Sequence, residues 1–114
     1  MIEVKRGEVH EVRPDPSIGK EIQKTRPCVV VSSDLLNRPS GLCIVVPLTD
    51  ALGKKEDILH IAVPRKEGGL SKDSIALCDQ IKAVDQNRLD AKLGNLSAAT
   101  MAKIDNGIKT VLGY

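Results

Sequence analysis

The chain has no phenylalanine and no tryptophan, and Tyr114 is its only aromatic residue. Stacking of bases on aromatic platforms is therefore excluded as its main binding device. Long hydrophobic runs are also missing. Nothing approaches the ~20 apolar residues that cross a bilayer, and the opening "MIEVKRGEVHEV" is charged where a secretory leader would be hydrophobic. A cytoplasmic location is the expectation. Charge of one sign is scarce too: the net formal charge of +2 neither requires nor excludes a nucleic-acid partner, because only clustering on one face would do so. The phosphate-cradling patterns G-x-x-x-x-G-K-[ST] and G-x-G-x-x-G do not occur. His10 and His60 stand alone and no cysteines form a C-x-x-C pair, so no metal or other cofactor is expected. Cys28, Cys43 and Cys78 are odd in number, far apart and flanked by aliphatic residues, the pattern of reduced core thiols.

What is present suits one domain spanning residues 1–114, a length that can bury one sizeable core. "EVHEVRP" reads as an exposed-edge strand ending at Pro14. Pro14 to Lys24 reads as a long loop with a mobile tip, a kind of segment that often carries function. The β-branched runs "RPCVVVSS" and "GLCIVVPLT" read as two central strands, joined as a hairpin through "DLLNRPS", a turn or one short helical turn. "DILHIAVP" and "SIALCDQIKAV" repeat the strand signal on either side of "RKEGGLSKD", with Asp79 and Gln80 interrupting the second run. Asp85 is placed to cap a short turn through "QNRLDAKLG" that Gly94 ends, and Ser97 to cap a final helix. In that helix Met101, Ile104, Ile108 and Leu112 form one apolar stripe. Short strands followed by one helix predict a small barrel or curled antiparallel sheet with the helix covering an open side.

Arg26 stands out, because a guanidinium does not usefully deprotonate and here sits at the mouth of a buried strand. It must reach solvent, pair with an acid such as Glu21, or await an anion. If the two central strands pair as a hairpin, Thr49 at the end of "VVPLT" meets Arg26, and a cation and a hydroxyl converge. The cysteines are expected to be packed rather than nucleophilic, and the two histidines structural.

At these residues the chain resembles the MazF/PemK family of toxin–antitoxin toxins, the endoribonucleases also called mRNA interferases. The resemblance spans nearly the whole chain: "KRGEV", "DPSIGKEIQKTRPCVVVSSDLLN", "VPLT", "LCDQIKAVDQNRL" and "LGNLS", in that order. It implies a mainly β fold, an SH3-like barrel of twisted antiparallel strands closed beside a C-terminal helix, assembled as a homodimer. It also implies metal-independent cleavage of single-stranded mRNA at short sequences, and inhibition by an antitoxin with an acidic, largely disordered tail. The arginine and threonine that carry catalysis in the family fall on Arg26 and Thr49, and a glutamate of less settled role falls on Glu21. Contacts to RNA are implied at Pro16, Ser17, Ile18, Gly19, Lys20 and Lys24 of the loop and at Gln80.

In the family's reaction the ribose 2′-hydroxyl attacks the adjacent phosphorus, leaving a cyclic phosphate and a 5′-hydroxyl, chemistry that DNA lacks the group for. Arg26 would bind the charge that accumulates on the phosphoryl oxygens, with Thr49 donating a further hydrogen bond. Glu21 would either accept the 2′-hydroxyl proton or orient Arg26. Three departures stand beside the resemblance. Lys20 occupies a position where the family commonly has serine, Asp50 follows Thr49 and would repel phosphate if turned inward, and the early strand and loop lack the family's aromatics. Two rivals remain: a noncatalytic binder of the gyrase-poison kind on the same fold, and a degenerate member that keeps antitoxin binding without catalysis.

Overall fold

The computed structural model describes residues 3–14 and 25–114. Seven strands and two helices follow in the order β1 (Glu8–Val12), β2 (Arg26–Val30), α1 (Asp34–Ser40), β3 (Leu42–Asp50), β4 (His60–Val63), β5 (Ser74–Leu77), β6 (Lys82–Asp85), β7 (Leu89–Asn95) and α2 (Ala98–Leu112). All pairings are antiparallel, and the sheet runs β4-β5-β3-β2-β1-β7 with β6 on β3. Among the described residues no ladder joins β4 to β7, so the curled, barrel-like sheet stays open rather than closed.

The longest strand, β3, organises the rest. Its first half pairs with β6 (Leu42↔Asp85 to Val45↔Lys82) and its last residues with β5 (Leu48↔Ala76 to Asp50↔Ser74), while β2 lies along its other side. Because side chains alternate across a strand, β2 and β3 feed two cores. Val29, Val46 and Leu48 join Met101, Ile104 and Ile108 of α2 in the larger one, whereas Cys28, Val30, Cys43 and Val45 join Val4, Val12 and Val84 on the opposite face. Burial on both faces explains the near-continuous apolar runs.

The hairpin expected between β2 and β3 forms, and its connection is the helix α1. Ser33 caps it by accepting from the Leu35 N–H at 3.0 Å, and Gly41 ends it with φ of 71°, in the left-handed region that glycine tolerates best. Asn37 is buried, its amide donating to the Ser32 carbonyl at 3.1 Å while Ser32 Oγ accepts from the Ile44 N–H at 2.9 Å, which fastens α1 to β3. α2 is capped by Ser97, whose Oγ accepts from the Thr100 N–H at 3.2 Å.

Three sequence expectations need correction. The strand read from "EVHEVRP" is present as β1, but it is an interior strand between β2 and β7 rather than an exposed edge; its buried residues include the polar pair Glu8 and His10, which resemble surface residues in the sequence. Beyond the short 3₁₀ turn that Asp85 does cap (Gln86–Arg88), "LDAKLGN" is the strand β7 rather than a turn, with Gly94 inside it; most of its residues are exposed, which left no apolar alternation to read. Leu112 is 56% exposed and lies outside the stripe of α2, which Met101, Ile104, Gly107 and Ile108 complete. Gly107 matters there, since a Cβ would come within 2.7 Å of Cys78 Sγ.

Among the described residues no helix is long and apolar enough to cross a membrane. The three cysteines are buried and free, and burial pushes each thiol up to about 11. Such thiols are packing groups rather than nucleophiles at neutral pH.

Candidate active site

Arg26 begins β2 and Thr49 is the penultimate residue of β3, so both stand where buried strands emerge into solvent. The β2–β3 ladder pairs Cys28 with Pro47 and Val29 with Val46. Continued two residues toward the rim, that register faces Arg26 with Thr49, both on the side of the sheet that carries Cys28 and Val45. Pro27 supports this placement, because the residue before a proline is held extended and Arg26 therefore leaves the strand in a fixed direction.

The two residues line one cleft of about 250 Å³, with Pro27, Leu48, Asp50, Leu70, Ser71, Lys72 and Ser74. Arg26 is exposed and Thr49 half-buried, and neither side chain bonds to another described residue. The far wall comes from the segment before β5, brought in by the pairs Thr49↔Ile75 and Asp50↔Ser74. Sequence reasoning took "GGLSKD" only as a connection and missed Ser71 and Lys72. Pairing "PLTD" with "SIAL" was the signal that would have found them.

Asp50 does line the cleft, yet its carboxylate is occupied. Oδ1 accepts from the Leu52 N–H at 3.0 Å and Oδ2 from Lys72 Nζ at 3.4 Å. The Leu52 amide first, and Lys72 with it, hold the carboxyl below the usual range, so Asp50 stays ionised. While the pair is intact, Lys72 partly offsets the Asp50 charge within the cleft.

Gln80 lies elsewhere. It closes a 3₁₀ turn (Cys78–Gln80) after β5, is exposed, and does not line the Arg26–Thr49 cleft. Asp79 beside it meets His60 Nε2 at 3.3 Å, while His60 Nδ1 lies 2.9 Å from Asp57. The expectations placed on Pro16, Ser17, Ile18, Gly19, Lys20, Glu21 and Lys24 lie outside the described residues. Among those described, no three His, Cys, Asp or Glu residues gather as metal ligands.

The two histidines are structural in different ways. His10 is buried, with Nδ1 2.9 Å from the Asp90 carbonyl and Nε2 2.9 Å from Glu8 Oε1. Burial opposes ionisation of Glu8, but the bonds from His10 and the Lys5 amide, together with Lys92, outweigh it and leave the carboxyl below its ordinary value. His60 is more open, and Asp57, with Asp79, raises it above 6.5. A raised histidine stabilises the fold fully below its unfolded value and loses that contribution as pH climbs through the folded one. The stability advantage of the wild type over His60→Asn is therefore expected at pH 5.5 and largely gone by pH 8.5, as read from urea unfolding at the two pH values. An advantage independent of pH would show that the two carboxylates do not act on an imidazolium.

A family model described as PemK-like, MazF-like toxin of type II toxin–antitoxin system matches residues 5–112. This chain belongs to that family. A curated relative, the endoribonuclease MazF of Staphylococcus epidermidis, is 34% identical over 110 residues, covering 96% of this chain and 92% of that protein. Among solved structures, a mycobacterial endoribonuclease in complex with its cognate antitoxin superposes with a TM-score of 0.78 at 25% identity, over 96% of this chain and 95% of the other. MazF from Deinococcus radiodurans superposes with a TM-score of 0.80 at 22% identity over the whole of both chains. The PemK/MazF-like toxin fold is thus matched end to end, and the Arg26–Thr49 cleft is built on its sheet.

Proposed function

We propose that this chain is an endoribonuclease toxin that cuts single-stranded mRNA in the cytoplasm by metal-independent attack of the 2′-hydroxyl, and that a cognate antitoxin with an acidic tail neutralises it. The observation that carries the reading is the shared cleft of Arg26 and Thr49, found in a chain of this family. The mycobacterial antitoxin complex supports the partner, and the Staphylococcus relative supports the activity.

In the cleft, Arg26 lies where a planar, multidonor cation can bind two phosphoryl oxygens, and its grip tightens as the pentacoordinate transition state gathers charge. Thr49 donates its hydroxyl to the same phosphate. The bond from the 2′-oxygen to phosphorus forms as the bond to the 5′-oxygen breaks; the 2′-hydroxyl yields its proton to a base, and the leaving oxygen receives one. Glu21 is the base or the group that orients Arg26, since an arginine is a poor base. The loop residues Pro16 to Lys20 and Lys24 hold flanking RNA, and Gln80, outside the cleft, reads a base edge farther along the strand. A homodimer is part of the proposal, following the family.

The test is digestion of a long single-stranded RNA by the purified protein in excess chelator, followed by mapping of ends. Discrete sites carrying 2′,3′-cyclic phosphate and 5′-hydroxyl ends are expected. Intact RNA together with inhibited gyrase supercoiling would instead establish the noncatalytic binder.

A further inference from the structure

The Arg26–Thr49 cleft does not end at Lys72. A second cleft of about 580 Å³, lined by Asp50 to Gly53, Arg65, Ser71, Lys72 and Asp73, shares Asp50, Ser71 and Lys72 with the first. Lys72 is thus the wall between them. Its partner Asp50 is 3.4 Å away, and the two side chains are 71% and 47% exposed, an ion pair of little net strength in water. Asp50 keeps its bond to the Leu52 amide whether or not Lys72 stays. Across the second cleft, Asp73 is engaged through Oδ1 by the Arg65 backbone N–H at 3.0 Å, while the Arg65 guanidinium meets no acceptor among the described residues.

We infer that RNA continues from the first cleft into the second, where Lys72 leaves Asp50 and, with Arg65, holds the backbone phosphate that flanks the cleaved one. This rests on the ribonuclease reading of the first cleft. A phosphate offers Lys72 a charge-assisted bond in place of a long, solvent-screened one, and it supplies the acceptor that Arg65 lacks. The second cleft then contributes sequence-independent affinity, and Asp50 sets its strength by competing for Lys72. An RNA strand is favoured as the occupant because the second cleft adjoins, through Asp50, Ser71 and Lys72, the one to which the ribonuclease reading assigns phosphodiester cleavage.

Lysine and arginine contacts to single-stranded phosphates show themselves in salt dependence, about 0.7 in the slope of log affinity against log salt for each contact. The experiment measures kcat and KM across a salt series for wild type, Lys72→Met, Arg65→Met and Asp50→Asn, with thermal unfolding to confirm folding. Lys72→Met and Arg65→Met should each flatten the slope by about 0.7 and raise KM severalfold, with the KM penalty shrinking on truncated RNA that keeps the cleaved linkage but ends before the flanking phosphate. Asp50→Asn should lower KM, and the gain should vanish when Lys72→Met is added. Cleaving enzymes with unchanged slopes, or penalties equal on long and truncated RNA, would overturn the inference while leaving the parent function standing. So would slopes that stay fixed while the same variants lose binding to an acidic antitoxin peptide. Failure of the wild type to cut any RNA would remove both.

Discussion

Arg26→Ala is expected to reduce kcat for RNA cleavage by about 10²–10³-fold, the usual loss when one preorganised donor to a developing oxyanion is removed. Stability should hardly change. Arg26 is exposed at the head of β2 and its side chain bonds to no other described residue, so among those residues its removal leaves no buried group unpaired. Arg26→Lys should recover only part of the rate, because an ammonium is a point charge without the planar fork that meets two phosphoryl oxygens at once. Thr49→Val keeps the β-branched shape that β3 requires and deletes one hydrogen bond, so a smaller loss of about 10-fold is expected. Single-turnover cleavage of an end-labelled RNA separates these cases. Equal activity in Arg26→Ala and wild type would place the chemistry elsewhere.

Gly69→Ala is expected to be the most damaging small change to the fold. Gly69 has φ of +69°, and a Cβ there would fall 2.0 Å from the Leu93 carbonyl oxygen, a backbone atom of β7 that cannot swing aside. Left-handed backbone alone costs a non-glycine residue about 1–2 kcal/mol, and the contact with β7 adds to it, for a total of about 3 kcal/mol or more. The approach is reciprocal: a Cβ on Gly94 would sit 2.6 Å from the Gly68 carbonyl carbon, so the paired glycines and β7 fit only without side chains. The same turn leads into Leu70, Ser71 and Lys72 of the cleft, so Gly69→Ala should lower the urea midpoint and activity together. A midpoint within experimental error of wild type would show that the turn moves aside freely.

The parts of the fold legible in the sequence were those whose alternation serves burial. β2 and β3 advertise themselves because both faces are covered, and the hairpin between them let Arg26 and Thr49 be matched by counting back from the turn. β7 was illegible for the opposite reason: Asp90, Ala91 and Lys92 face solvent, and only pairing with β1 makes the segment a strand. β1 was misplaced to an edge because Glu8 and His10 look like surface residues until their mutual bond and the Asp90 carbonyl are seen. In the cleft, the wall contributed by the hairpin was readable, whereas Ser71 and Lys72 arrive through the β3–β5 ladder, a pairing between segments far apart in sequence. Asp50 looked like an intruder for the same reason, since its partner Lys72 belongs to that distant wall.

The most direct measurement is a crystal structure with an uncleavable RNA, its 2′-hydroxyl replaced by hydrogen at the mapped cleavage position. The scissile phosphate should lie in the Arg26–Thr49 cleft, with the guanidinium on its nonbridging oxygens and the threonine hydroxyl donating to the same group. An RNA bound with that phosphate beyond reach of both side chains would contradict the account.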